Sequence, residues 1–223
     1  MRRRDFISLI GGAAVTWLLA GLGHPVVVES SGGAGGSMSR ALLLAAATVA
    51  VLLAPPAAAQ LVNENLLVKM PAGYKVGYHA ENDKQMITEM VPSGETVDDW
   101  TEMVTVQIFR GRKLAPEQFR DSLMKGWNEG CPNASSKPTT SATENGYPSV
   151  LWLLNCPRNP KTGKPEITWF KAIRGNDSFY VVQKAFKFTP SKEQVAQWLG
   201  YLKSVSVCDT RLSDRRCPVA EKK

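Results

Sequence analysis

Histidine is almost missing from this chain: two residues in 223, His24 and His79. Only His79 lies beyond the leader-like N-terminal region, so any Ser-His-Asp or Cys-His system has to use it. No Gly-x-Ser-x-Gly elbow accompanies it. Its neighbours Lys75 and Tyr78 place it on a strand edge, as a surface residue. Cysteine is sparse as well. The four are Cys131, Cys156, Cys208 and Cys217, with no Cys-x-x-Cys pair and no nearby histidine. That spacing excludes the usual zinc sites. No nucleotide-binding or EF-hand motif is present, and no cofactor is implied. Nor does any unbroken apolar run reach the roughly 20 residues of a membrane-spanning helix.

What is present is an export signal in an unusual place. Within residues 38–59, Arg40 supplies a positive start, Ala41 to Ala54 an apolar run of 14 residues, and Ala57-Ala58-Ala59 a small-residue cleavage site before Gln60. The expected mature N-terminus is therefore Gln60, with cleavage after Ala59. Ahead of it, residues 1–37 carry Arg2-Arg3-Arg4-Asp5-Phe6-Ile7, similar to a twin-arginine motif, then a Gly11-Gly12 break and the low-complexity stretch Gly32 to Gly36. Two export signals in series are redundant. The expectation is that Met38 is the true start and residues 1–37 are a spurious extension. The rival is a twin-arginine precursor cleaved near Gly23, which would leave the second apolar run as a short hydrophobic tether. Both place the protein in the periplasm or outside a bacterial cell, without a stable membrane span in the mature form.

Residues 60–223 form one domain-sized stretch of 164 residues, enough for a single core. They hold 23 of the 27 Lys and Arg and 18 of the 20 Asp and Glu, a net of +5. The signs are interspersed, without the dense stripe that nucleic acid requires. An envelope protein or an anionic envelope component is the expected partner. Four cysteines in an oxidising compartment imply two disulfides. Of three connectivities, the expectation is Cys131–Cys156 and Cys208–Cys217. The first ties a helix end to a strand. The second staples a C-terminal tail, residues 208–223.

Periodicity organises the remainder, residues 60–207. Strands are expected at Leu66–Met70, Tyr74–His79, Met86–Val91 and Trp100–Phe109. In the last, Trp100, Val104, Val106 and Ile108 share one face, with Thr101, Thr105 and Gln107 on the other. Pro116 and Glu117 suit a first helical turn, and Phe119, Leu123 and Trp127 recur every four residues up to Gly130. Residues 133–140 are polar and read as a loop. Tyr147–Asn155 is apolar on both faces, as in a central strand covered twice. Ile167–Ile173 and Phe179–Phe188 flank Gly175-Asn176-Asp177, a hairpin signal. Ser191 with Gln194 makes a capping box for a second helix carrying Val195, Trp198, Leu199 and Leu202. Strands, helix, strand meander and helix in that order define an α+β fold with an antiparallel sheet and packed helices. The tryptophans at 100, 127, 152, 169 and 198 read as core, with Trp100, beside Asp98 and Asp99, as the exception.

Three features resemble the PsbP-like superfamily, which includes the PsbP subunit of photosystem II and the periplasmic DcrB-like proteins. They are the opening Met70-Pro71-Ala72-Gly73-Tyr74, the helix Glu117–Trp127, and the closing helix Glu193–Leu202 before Ser204. The resemblance implies an α/β/α sandwich without a catalytic centre, acting as an accessory or binding module. Two further readings come from the residues. Thr88-Glu89-Met90-Val91 recurs as Thr101-Glu102-Met103-Val104. A hairpin pairing Glu89 with Glu102 would set two carboxylates together, with Asp98 and Asp99 as added oxygen donors for a hard cation or a hydrolase-type site. The basic residues Arg110, Arg112 and Lys113, with Arg158, Lys161 and Lys164, form a candidate anion site, though solvated surface charge is the simpler account. A disulfide-stabilised inhibitor or effector is a third class.

Overall fold

The computed structural model describes residues 61–218 of the chain. The expected leader, with its expected cleavage point between Ala59 and Gln60, and the last five residues lie outside that range. Seven strands form one antiparallel sheet: β2 (Tyr74–Glu81), β3 (Gln85–Pro92), β4 (Glu102–Arg110), β5 (Ser135–Glu144), β6 (Tyr147–Cys156), β7 (Glu166–Arg174) and β8 (Ser178–Phe186). Their spatial order is β2-β3-β4-β8-β7-β6-β5. β1 (Glu64–Leu67) and β9 (Ser206–Asp209) pair separately as a two-stranded antiparallel ribbon.

The sheet is covered on both faces. Helix α1 (Pro116–Gly130) lays Phe119 and Leu123 against Val150, Trp152, Leu154, Phe170, Phe179 and Val181. Helix α2 (Lys192–Ser204) and the β1–β9 ribbon cover the other face, where Trp198, Leu202, Val205 and Val207 meet Val104, Val106, Leu151, Ile173, Val182 and Phe186. Because both faces are packed, strand β8 is buried along its whole length, as expected for a sheet between two layers. The protein is thus an α+β sandwich.

Local chemistry sets the helix limits. In α2 the Ser191 hydroxyl accepts from the Gln194 amide (3.2 Å), and the Gln194 side chain accepts from the Ser191 amide (2.9 Å). That is the complete capping box. α1 starts at Pro116 after Ala115, which has no capping oxygen. Gln118 supplies half a box by accepting from the Ala115 amide at 3.3 Å. Cys131 follows the last turn of α1, and its disulfide to Cys156 ties the helix end to the end of β6, Cα to Cα 5.9 Å. The second disulfide joins Cys208 and Cys217. Both pairs are the expected ones, one joining a helix end to a strand and one lying near the C-terminus.

Three expectations are corrected. Residues 133–140 are not simply a loop, because from Ser135 the chain forms edge strand β5 against β6. An edge strand needs only one partner ladder, so this polar stretch pairs without an alternating apolar pattern. Trp100 precedes β4 rather than beginning it. It packs with Val91, Met103 and Ala185, on the face opposite Val104. The tail boundary at residue 208 falls inside β9.

Candidate functional site

The repeated Thr-Glu-Met-Val does not build a carboxylate pair. β3 and β4 pair Glu89 with Thr105, and the ladder ends at Met90 opposite Val104. Glu102 lies three residues from Thr105, an odd offset, so Glu89 and Glu102 point to opposite faces. The cause is the connection between the strands: residues 93–101 form a wide loop instead of a tight turn, so the register ignores the repeat. Asp98 and Asp99 are exposed in that loop. The Asp99 amide donates to the Thr96 hydroxyl (3.1 Å), which closes a local turn. Among the described residues no three His, Cys, Asp or Glu side chains are grouped to hold a metal.

The basic residues do not share a site either. Arg110 pairs with Ser178 at one end of the sheet, whereas the 157–165 turn joins Cys156 to Glu166 at the other. Arg110 forms an ion pair with Glu81. His79 stands on edge strand β2 with its side chain about half exposed. Its Nδ1 lies 2.9 Å from the Thr88 hydroxyl, and its Nε2 3.7 Å from Glu81.

Glu102 instead belongs to a cluster that joins β2, β4, β8 and α2. Register places Glu102 opposite Phe186 and Lys184 opposite Val104, so Glu102 and Lys184 share the face under α2. The Lys184 side chain is fully buried. Its Nζ donates to Glu102 Oε2 at 2.6 Å and lies 2.6 Å from the Tyr74 hydroxyl. The Trp198 ring centroid is 3.7 Å away, with Phe186 at 4.5 Å and Tyr74 at 5.0 Å. The Tyr74 hydroxyl also donates to Glu102 Oε2 at 2.9 Å.

The electrostatics follow from burial. Desolvation pulls the Lys184 ammonium down to about 8, although the bond to Glu102 and the charges of Glu102 and Glu95 act to hold it up. Burial, then the Glu102 carboxylate, push the Tyr74 hydroxyl far above its ordinary range. Burial also works against the charge on Glu95. The Thr101 hydroxyl and amide, the Glu102 amide and the Lys184 charge outweigh it and hold the carboxyl low.

A second buried lysine, Lys171, donates to Glu144 Oε2 at 2.5 Å and to the Val205 carbonyl at 2.7 Å. It satisfies a carbonyl just beyond α2, where a cation is favoured. Both lysines sit inside apolar strand runs, Ile-Thr-Trp-Phe-Lys-Ala-Ile and Phe-Tyr-Val-Val-Gln-Lys-Ala-Phe. A charge in such a run was the available sequence signal, and periodicity alone passes over it.

The surface beside the cluster is apolar at two points. Val76, 48% exposed, lies two residues along the same face of β2 as Tyr74. Met70, 52% exposed, stands before the turn that enters β2. β2 is an outer strand of the sheet.

No helix among the described residues is long and apolar enough to cross a membrane. The sequence matches no family model and no curated protein. Among solved structures, the chain is similar to a point mutant of the protein Mog1, with a TM-score of 0.37 and 14% identity over 63% of this chain and 85% of that one. It is likewise similar to the Saccharomyces cerevisiae Ran-binding protein Mog1p, with a TM-score of 0.36 and 13% identity over 63% of this chain and 84% of that one. Similarity this distant carries no inference about activity or partner.

Proposed function

We propose that the chain is a non-enzymatic accessory or binding domain of the bacterial envelope, exported to an oxidising compartment, and that it holds a partner protein along the outer edge of β2. The observation that carries this reading is the exposed Val76 on an outer strand, next to the Tyr74–Glu102–Lys184 cluster. An outer strand offers unpaired backbone groups to an added strand, and an exposed apolar side chain on it gives that strand a pocket-seeking contact.

The use of the ionisable groups supports the non-enzymatic part. Lys184 has both oxygen partners inside the fold and an aromatic face over its ammonium. Lys171 is spent on Glu144 and on a carbonyl past α2. Separation of Glu89 from Glu102 removes the pair on which a hydrolase reading would rest. The two disulfides suit an oxidising compartment. A member of the PsbP-like and DcrB-like group would act in this accessory manner.

Affinity capture tests the proposal. The oxidised domain beginning at Gln60 is immobilised and challenged with an envelope extract, beside a Val76→Lys variant. A protein retained by the first and lost by the second is the expected result. Equal retention on both, or none on either, would overturn the β2 reading. Retention of anionic lipid alone would replace the protein partner with an envelope lipid.

A further inference from the structure

The turn between β7 and β8 is built around a carboxylate that comes from far away in the chain. Glu64 Oε2 accepts from the Asn176 amide at 2.5 Å. Its Oε1 accepts from the amides of Asp177 (3.1 Å) and Ser178 (3.2 Å) and from the Tyr180 hydroxyl (2.9 Å). Three successive backbone amides curled about one carboxylate form an anion-binding nest. Gly175 is required at its rim, because a Cβ there would collide with Glu64 Oε1 and crowd the Ser178 carbonyl at 2.8 Å. So the donors, the bare glycine and the tyrosine together make a receptor, with Glu64 as its occupant.

The element delivering Glu64 meets the main sheet only through side chains, Leu66 among them. β1 pairs only with β9, through four residue pairs, and shares no ladder with the seven-stranded sheet. All four of its residues are only partly buried. Its departure would leave every ladder of the main sheet intact. Ahead of it Val62 is 65% exposed. Behind it residues 68–73 form a connection holding Pro71 and Gly73, the latter at φ +78°. A short strand with a charged anchor, an independent partner and a proline-containing connection has the attributes of an exchangeable arm.

We propose that the β7–β8 turn is a carboxylate receptor and that β1 is its detachable ligand, exchangeable with β1 of a second copy of the chain. The occupant is a second copy because the site demands several matches at once. It needs a strand that pairs with β9 at Glu64–Asp209 register, a carboxylate at that position, and Asn63 to meet Thr210. Asn63 does so by donating to the Thr210 hydroxyl (2.8 Å) and accepting from its amide (3.0 Å). The chain's own β1 satisfies all three. Reciprocal exchange between two copies closes on itself and gives a dimer, not a filament. The surface concerned is the turn of β7–β8 and β9, separate from the edge of β2.

The experiment uses the full mature chain with Glu64→Ala, which empties the nest, and a fluorescent peptide of residues 61–68. Anisotropy should show saturable binding. A peptide carrying Glu64→Gln should bind about tenfold more weakly, since a hydrogen bond to a charged acceptor exceeds one to a neutral acceptor by about that factor. Adding Gly175→Val to the protein should abolish binding. Glu64→Gln protein serves as the second acceptor if Glu64→Ala does not fold. Absence of peptide binding to a folded acceptor, or equal binding of both peptides, would overturn the receptor. Exchange is read by mixing Glu64→Ala and Gly175→Val chains, which complement each other. Native mass spectrometry should then show a heterodimer, and monomers alone would overturn exchange.

Discussion

Lys184 holds its ammonium 3.7 Å from the ring centroid of Trp198, while the preceding residue, Gln183, faces the opposite layer and donates to Gln107 at 2.8 Å. Two adjacent polar residues at the centre of the sheet thus serve two different faces. One binds helix α2 through a cation–π contact. The other links β8 to β4 beneath the opposite layer.

Removing the two partners of the Lys184 pair should have unequal effects. Glu102→Gln leaves a buried ammonium without its counter-charge and should cost roughly 3 kcal/mol at pH 7. Lys184→Met removes the buried charge and keeps the stem, leaving Glu102, 20% exposed, to water and Tyr74. It should lie within about 1 kcal/mol of the parent or above it. Urea unfolding of both variants measures the difference, and equal losses would refute it.

Stability should rise with pH above neutrality and then fall. Lys184 titrates near 8 in the folded protein and near 10.4 unfolded. Between those values the unfolded chain binds more protons, so folding gains up to roughly 3 kcal/mol across the window. Burial raises Tyr74, Tyr147 and Tyr180 above their ordinary value and pushes Tyr201 up to about 12. Their stabilising contribution is complete below pH 10 and is lost above it. Urea midpoints should therefore peak between pH 9 and 10, about where the two effects cross. In Lys184→Met the rise should vanish and the alkaline fall remain.

The disulfides should differ in weight. Cys131–Cys156 spans 25 residues and Cys208–Cys217 spans 9. By loop entropy the first contributes about 3.5 kcal/mol and the second about 2.5 kcal/mol. Non-reducing peptide mapping should recover these two pairs. Urea unfolding of the paired Cys→Ala variants should rank them in this order.

Calcium should leave the melting temperature unchanged. Glu89 and Glu102 face opposite layers, so no shared site exists through which the folded state binds the ion preferentially. A calcium-dependent rise abolished by Glu89→Gln with Glu102→Gln would contradict this register.

Much of the architecture was legible in residue patterns. Ser191 and Gln194 announced α2. The four-residue spacing of Phe119, Leu123 and Trp127 announced α1, and the doubly apolar Tyr147–Asn155 announced a strand covered on both faces. β5 escaped because Ser135–Glu144 is polar except for Pro138 and Ala142, and its ladder comes from β6. The candidate site was largely hidden. Glu102 and Lys184 are 82 residues apart in sequence, and Glu64 reaches a turn more than 110 residues away. Local periodicity carries no information on such pairings. The Thr-Glu-Met-Val repeat misled because register depends on the loop at 93–101, not on the words at its ends.

The two outer strands of the sheet differ in what they offer a neighbouring molecule. β2 contains no proline from Tyr74 to Glu81, so every residue retains an amide hydrogen. Both outer strands have an irregularity in their pairing, between Val76 and Tyr78 in β2 and between Pro138 and Thr140 in β5, but only β5 adds a proline, and a proline in a sheet sits where its missing hydrogen faces the open side. Growth by strand addition is therefore polar. A chain added at β2 extends the sheet, while the far margin is blunted against the same event.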